Sequence, residues 1–231
     1  MVTINELTKG IRADLQLDLE PKKKLDESYV SQPKEYQLRT ELLSDKAKAA
    51  HIELYRGYIT ALNGVSMKLD TADRKAADVK ASSYRALKAA EIFNRNAVYL
   101  HELYFANISD MESEVSNDSM SYMRFSRDWG TFDEWQWDFI ACANSAGNGW
   151  AVTAYDTFLR RYVNFFIDEH DVCIPVGCYP IVVLDVWEHA RCIDYLNNKE
   201  QYIHNMMREF NWNIIEARIE RAELINKALE R

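Results

Sequence analysis

Histidine and glycine are both scarce in this chain: five of the first and seven of the second in 231 residues. A metal site, if one exists, therefore has to account for nearly every histidine. Positive charge is also short, with 28 Lys+Arg against 36 Asp+Glu and a formal net charge of −8. That balance lacks the basic footprint of a nucleic-acid binder. No uncharged run approaches the roughly 18–20 residues that span a bilayer, and Met1 to Gly10 is too polar for a signal peptide, so a cytoplasmic protein without membrane contact is expected. The four cysteines, Cys142, Cys173, Cys178 and Cys192, show no C-x-x-C pair. They read as free thiols in a reducing compartment, packed as small hydrophobes.

What is present is an ordinary globular composition, 48% hydrophobic and 28% charged. The length suits one large domain or two small ones, with a core that needs no disulfides. Residues 1–43 read as a separate arm, broken by Glu20-Pro-Lys-Lys-Lys24 and Ser31-Gln-Pro33, and docked on something rather than a domain of its own. Ser44 caps a helix with apolar residues at Ile52, Tyr55 and Ile59, expected to run to Asn63-Gly64. A second helix is expected over Lys68–Val79 and a third over Tyr84–Asn107, the last with an apolar stripe of Ile92, Tyr99, Leu103 and Ala106. Ser109–Ser121 is acidic and reads as a loop, followed by a helix over Thr131–Ala143.

After Gly147-Asn-Gly149 the character changes. Trp150–Tyr155, Arg161–Ile167 and Pro180–Asp185 are rich in β-branched and aromatic residues and predict three short strands. Helical spacing returns from Val186 to Arg231. The result is an α+β fold: an antiparallel helical hairpin (44–108), then a part with a small three-stranded antiparallel sheet packed with helices (109–231).

The segment with most chemistry is Asp185-Val-Trp-Glu-His189. Its carboxylate and imidazole lie four apart, one helical turn, so both can face one point at a strand-to-helix junction and hold a metal ion. Alone, D-x-x-x-H is a weak signal. In context, Asp185-Val-Trp-Glu-His-Ala190, with Ile193-Asp-Tyr195, Asn197, Tyr202 and Asn211-Trp212, resembles the C-terminal signature of the iron/manganese superoxide dismutases. Phe93-Asn94 with His101 and Asn107-Ile-Ser109 resembles the helix carrying that family's second ligand, Gly147-Asn-Gly-Trp150 its G-S-G-W turn, and Trp129-Gly-Thr-Phe132 the opening of its fourth helix.

The resemblance spans roughly residues 44–220 and implies one Fe or Mn ion held by His51, His101, Asp185 and His189. His51 keeps the family spacing of seven from the capping Ser44, yet lies seven rather than eight residues before Tyr58, which opens Tyr58-Ile-Thr-Ala-Leu-Asn63. One missing residue rotates the downstream part of the helix by about 100° unless it removes a local π-type bulge, and the bulge explanation keeps His51 as first ligand. By the same resemblance, His170 takes the place beside the metal-bound solvent, Tyr58 assists proton supply, Trp150 and Trp187 wall the pocket, and Glu188 reaches the partner subunit's histidine ligand. His204 is left over as a helix-surface residue.

Departures from the family are equally specific. Its gateway histidine corresponds to Tyr55 (or Leu54), the tyrosine that pairs with it across the dimer corresponds to Cys192, and its glycine-rich loop is replaced by Asp110-Met-Glu-Ser-Glu114. The leading expectation is thus a superoxide dismutase acting on the superoxide anion, in a homodimer or a larger assembly with an altered interface. A second reading is a dismutase-fold structural or interaction protein docked through residues 1–43 onto a larger assembly such as a phage particle. A third is a mononuclear zinc hydrolase, against which the tryptophan-walled motif argues.

Overall fold

The computed structural model describes residues 31–109 and 113–229. In chain order they form α1 (Asp45–Asp70), α2 (Ser83–Asn107), α3 (Met120–Trp129), α4 (Phe132–Ser145), β1 (Gly149–Asp156), β2 (Arg161–Asp168), β3 (Cys178–Asp185), α5 (Glu188–Tyr195), α6 (Lys199–Arg208) and α7 (Trp212–Leu229). The α+β arrangement is the expected one, and all three strands fall where β-branched and aromatic residues placed them.

Two helical expectations need correction. The first helix does not stop at Gly64 but continues to Asp70, and no separate helix forms over Lys68–Val79. A glycine inside a helix costs about 1 kcal/mol, and the buried stripe Leu62, Ser66, Leu69 carries the helix across it. The segment after Asp70 is held in turns instead. Asp73 Oδ1 accepts from Lys75 N at 2.9 Å, and Asp78 Oδ1 accepts from Lys80 N and Ala81 N at 2.6 and 2.9 Å. The second is α3, whose first two residues fall within the Ser109–Ser121 stretch read as a loop and whose remainder lies where no element is expected from the sequence. Ser119 caps it by accepting from Tyr122 N, and Gly130 ends it at φ 95°.

Residues 31–43 of the arm are extended and lie against the chain's own helices. Ser31 and Asn63 exchange two hydrogen bonds (2.7 and 3.0 Å), and Lys34 N donates to Tyr55 Oη at 3.1 Å. Further along, Glu209 Oε1 accepts from Glu41 N and Leu42 N. Residues 1–30, and with them most of the arm invoked for a larger assembly, lie outside the described residues, as do Asp110–Glu112 of the acidic segment.

The sheet has the order β2-β1-β3, antiparallel throughout. Its central strand β1 is buried along nearly its whole length, which explains why it reads as a continuous apolar run. Register sets the site: Trp150 lies opposite Ile167 on one side and Asp185 on the other. Gly149 is what allows β1 to start there, because a Cβ at that position would meet Ile167 O at 1.9 Å. Beneath the sheet, Phe125, Phe132, Trp135 and Phe139 stack from α3 and α4 onto Phe210 and Trp212. Trp135 Nε1 is satisfied by Thr153 Oγ1 at 2.9 Å. None of the described helices is long and apolar enough to cross a membrane.

Candidate metal centre

Four elements converge on one point. α1 contributes His51, α2 contributes His101, β3 ends on Asp185, and α5 brings His189 one turn later. A ligand atom from each lies within 4.8 Å of all the others. His51, His101 and Asp185 are buried, whereas the His189 side chain is 24% exposed and marks the open side of the cluster. α1 is α-helical throughout, and seven residues are close to two full turns, so His51 and Tyr58 share the face that looks inward.

Asp185 is gripped at each polar atom. Its Oδ1 accepts from Trp187 N at 2.9 Å, and its carbonyl accepts from Tyr202 Oη at 2.7 Å. Tyr202 Oη in turn lies 3.1 Å from Tyr104 Oη. The Asp185 Oδ2 faces the imidazoles: His51 Nε2 at 3.1 Å, His189 Nε2 at 3.2 Å and His101 Nε2 at 3.8 Å. Burial alone would raise the Asp185 pKa, but His189 and His51 outweigh it and hold the carboxyl well below its usual range. Burial likewise lowers the pKa of His51 and, further, of His101, against the pull of the Asp185 charge.

His101 shows that the cluster fits a cation. Its Nδ1–H donates to the Ala97 carbonyl at 2.6 Å, which puts the neutral ring's lone pair on Nε2. That atom is fully buried with no hydrogen-bond partner, and it faces a carboxylate oxygen. A buried lone pair left without a donor and turned toward a carboxylate oxygen is unfavourable unless a positive ion sits between them. Three imidazole nitrogens and one carboxylate oxygen suit a first-row transition ion.

A second layer surrounds the ligands. His170 is fully buried just beyond β2; its Nδ1 accepts from Trp150 Nε1 at 3.1 Å and its Nε2 lies 3.0 Å from Tyr58 Oη. Asn96 Nδ2 donates to the His170 carbonyl at 2.9 Å. Burial pushes the His170 imidazole down to about 4, opposed by the Asp185 charge, so the ring is neutral near pH 7. Trp187 stacks on both His170 and His189, with centroids at 5.0 and 5.4 Å. Glu188 is exposed beside His189, and its backbone N–H donates to Asn148 Oδ1 at 3.3 Å. His204 is exposed on α6, away from the cluster. Tyr55 is buried, with its hydroxyl donating to Glu102 Oε1 at 2.9 Å.

Sequence reasoning missed the supports: the Ala97 carbonyl, Asn96 and Tyr104. Tyr104 carried a usable signal, since it lies one turn after His101 on the same helix face. Asn96 carried none, because its partner is a backbone atom 74 residues away.

Fold and site together define a mononuclear metal protein with three histidines and an aspartate as its ligand set. Residues 118–218 match the family profile of the iron/manganese superoxide dismutases, C-terminal domain. The iron superoxide dismutase of Aquifex aeolicus is 33% identical over 198 residues, covering 81% of this chain and 89% of the relative. A manganese superoxide dismutase of Haloferax volcanii is 29% identical over 191 residues, covering 82% and 94%. The iron superoxide dismutase of Cupriavidus metallidurans is 30% identical over 173 residues, covering 74% and 85%. The chain belongs to the iron/manganese superoxide dismutase family.

Proposed function

We infer that this chain is a superoxide dismutase, converting two superoxide anions and two protons into O₂ and H₂O₂. The observation that carries the reading is the bare, buried Nε2 of His101 aimed at the Asp185 carboxylate within the four-ligand cluster. His51, His101, Asp185 and His189 would hold iron or manganese, and the bound ion would supply a one-electron couple able to accept an electron from one superoxide and return it to another.

The protein's own residues hold this arrangement and handle protons. Trp150 is a donor only, so its bond to His170 Nδ1 leaves the neutral ring's proton on Nε2, directed at Tyr58 Oη. Burial, with the Asp185 charge adding to it, raises the Tyr58 pKa, so the phenol keeps its proton and can donate it outward. Tyr58 is half-buried and borders a surface depression lined by Glu53, Leu54, Gly57 and Asn94. Trp150 and Trp187 keep bulk water from the ligands by packing against His101, His170 and His189.

The chain works as a homodimer in which Glu188, exposed beside His189, reaches the partner's copy of that histidine. The family resemblance supports this, with Tyr55 and Cys192 altering the contact around it. Metal analysis of the purified protein, paired with a dismutation assay and His101→Ala as control, tests the reading. A chain carrying one Fe or Mn but dismutating no faster than free metal would overturn it.

A further inference from the structure

On the far side of α2 from the metal centre lies an apolar groove of about 580 Å³. Tyr99 and Leu103 of α2, Val152, Phe165 and Ile167 of the sheet, and Ile214 of α7 form its walls. Tyr99, Leu103 and Ala106 belong to the apolar stripe singled out in the sequence. They line this groove, Leu103 also packing against the core, and Tyr99 remains 47% exposed. The size falls within the range of small-ligand sites, roughly 300–1,000 Å³.

Its charge is unbalanced. Glu102 is the sole acid among the lining residues and is already matched by Lys34, which also lines the groove. Arg218 is buried, and its hydrogen bonds among the described residues go to neutral acceptors: Asn107 Oδ1 at 2.9 Å, the Ile181 carbonyl at 2.8 Å and the Leu103 carbonyl at 3.0 Å. No carboxylate pairs with it among the described residues. A guanidinium carries five N–H donors, so part of its capacity is unused. Arg221, one turn further along α7, is exposed, also lines the groove and makes no ion pair among the described residues. A buried guanidinium without a counter-charge is costly, and its fork geometry matches a carboxylate.

We propose that this groove binds a long-chain carboxylate, its aliphatic chain laid along Tyr99, Leu103, Phe165 and Ile167 and its head group at Arg218 and Arg221. The apolar walls require a tail, and the two uncompensated cations require a single anionic head. The site is separate from the metal cluster, and the proposal does not depend on the dismutase reading.

Isothermal titration calorimetry of the full-length, metal-loaded protein with laurate below its micelle concentration provides the test, with dodecan-1-ol as the uncharged control. Laurate is expected to bind saturably at one per chain and at least about tenfold more tightly than the alcohol. Arg221→Gln should weaken laurate by about tenfold and leave the alcohol within about twofold. Ala217→Trp, which fills the groove wall, should abolish both, and neither variant should change metal content or dismutation rate. Absence of saturable laurate binding overturns the proposal. So does equal affinity for laurate and alcohol, or laurate binding that ignores both substitutions. A change of oligomeric state in Ala217→Trp without laurate binding assigns the groove to a second copy of the chain instead. Should Ala217→Trp not fold, the laurate–alcohol comparison in Arg221→Gln still decides.

Discussion

Trp150 Nε1 donates to His170 Nδ1 at 3.1 Å, and this bond decides which nitrogen of a buried imidazole carries its proton. The consequence runs outward through Nε2 to Tyr58 Oη, 3.0 Å away. Replacing Trp150 by Phe keeps an aromatic wall and removes the donor. The metal-free variant should then show a mixture of His170 tautomers in its imidazole ¹⁵N shifts, where the parent shows the Nε2–H form alone. Activity should fall roughly 10–100-fold, the usual cost of losing a partner that orients a metal site. A single unchanged tautomer would remove the basis for this role.

Tyr58→Phe deletes one hydroxyl and leaves the ring between Phe93 and His101. Stability should change by no more than about 1 kcal/mol, because one partly exposed hydrogen bond is lost. The proton-dependent limb of turnover, followed by pulse radiolysis, should slow by about tenfold or more. Unchanged saturation kinetics would mean that the hydroxyl delivers no proton.

His101→Ala removes the lone pair that faces Asp185. Metal affinity should drop by more than the roughly 10–100-fold typical of outer partners, and purified protein should hold far less than one ion per chain. Elemental analysis checks this directly. Full occupancy in the variant would place the ion elsewhere.

Gly149→Ala would drive a methyl group into the Ile167 carbonyl, a 1.9 Å contact that only separation of β1 from β2 can relieve. The expected cost is roughly 3 kcal/mol or more, corresponding to a fall in Tm of about 6–12 °C. Calorimetry of the variant measures it, and a Tm within a degree of the parent would contradict the strand pairing described.

Acid should destabilise the metal-free protein through its buried imidazoles. His170 is held down to about 4 by burial, whereas an exposed imidazole titrates near 6.5. As pH falls, the unfolded chain therefore binds the proton first. The contribution of the neutral ring is complete above about pH 6.5 and is lost as pH drops towards 4, amounting to on the order of 3 kcal/mol. Denaturant unfolding at pH 7 and pH 4.5 should show this loss, and His170→Gln should make the difference smaller by a comparable amount.

The arm offers a separate check. Tyr55→Phe takes away the acceptor for Lys34 N and the donor to Glu102, at an expected cost of about 1–3 kcal/mol. Amide exchange across residues 34–43 should accelerate more than exchange in α2. Uniform exchange across the chain would show that Tyr55 does not hold this segment.

Much of the site could be read from linear spacing. Asp185 and His189 lie four apart at the end of an apolar, β-branched run, so strand geometry and one helical turn place them together with little help from the rest of the molecule. The hairpin helices and the three strands were legible for the same reason: caps, periodicity and β-branched runs act locally. Gly64 is a misleading stop signal because glycine's helix cost is small beside the burial of Leu62 and Leu69 on either side. The α3 helix is hard to read because a ten-residue helix with only Ser121 and Phe125 buried carries little periodic signal.

By itself, then, the sequence determined the ligand types, the local elements that carry them and the scarcity that left one histidine over. Tertiary structure alone decided that His51 meets Asp185 across 134 residues, that the His101 lone pair is stranded against a carboxylate, and that Trp150 sets the His170 tautomer. It also decided that the Tyr99–Ala106 stripe lines a groove with two arginines that have no carboxylate partner among the described residues. The physical reason is the same in each case. Spacing within an element follows from backbone geometry, whereas protonation, desolvation and charge balance depend on which atoms packing brings within hydrogen-bond distance.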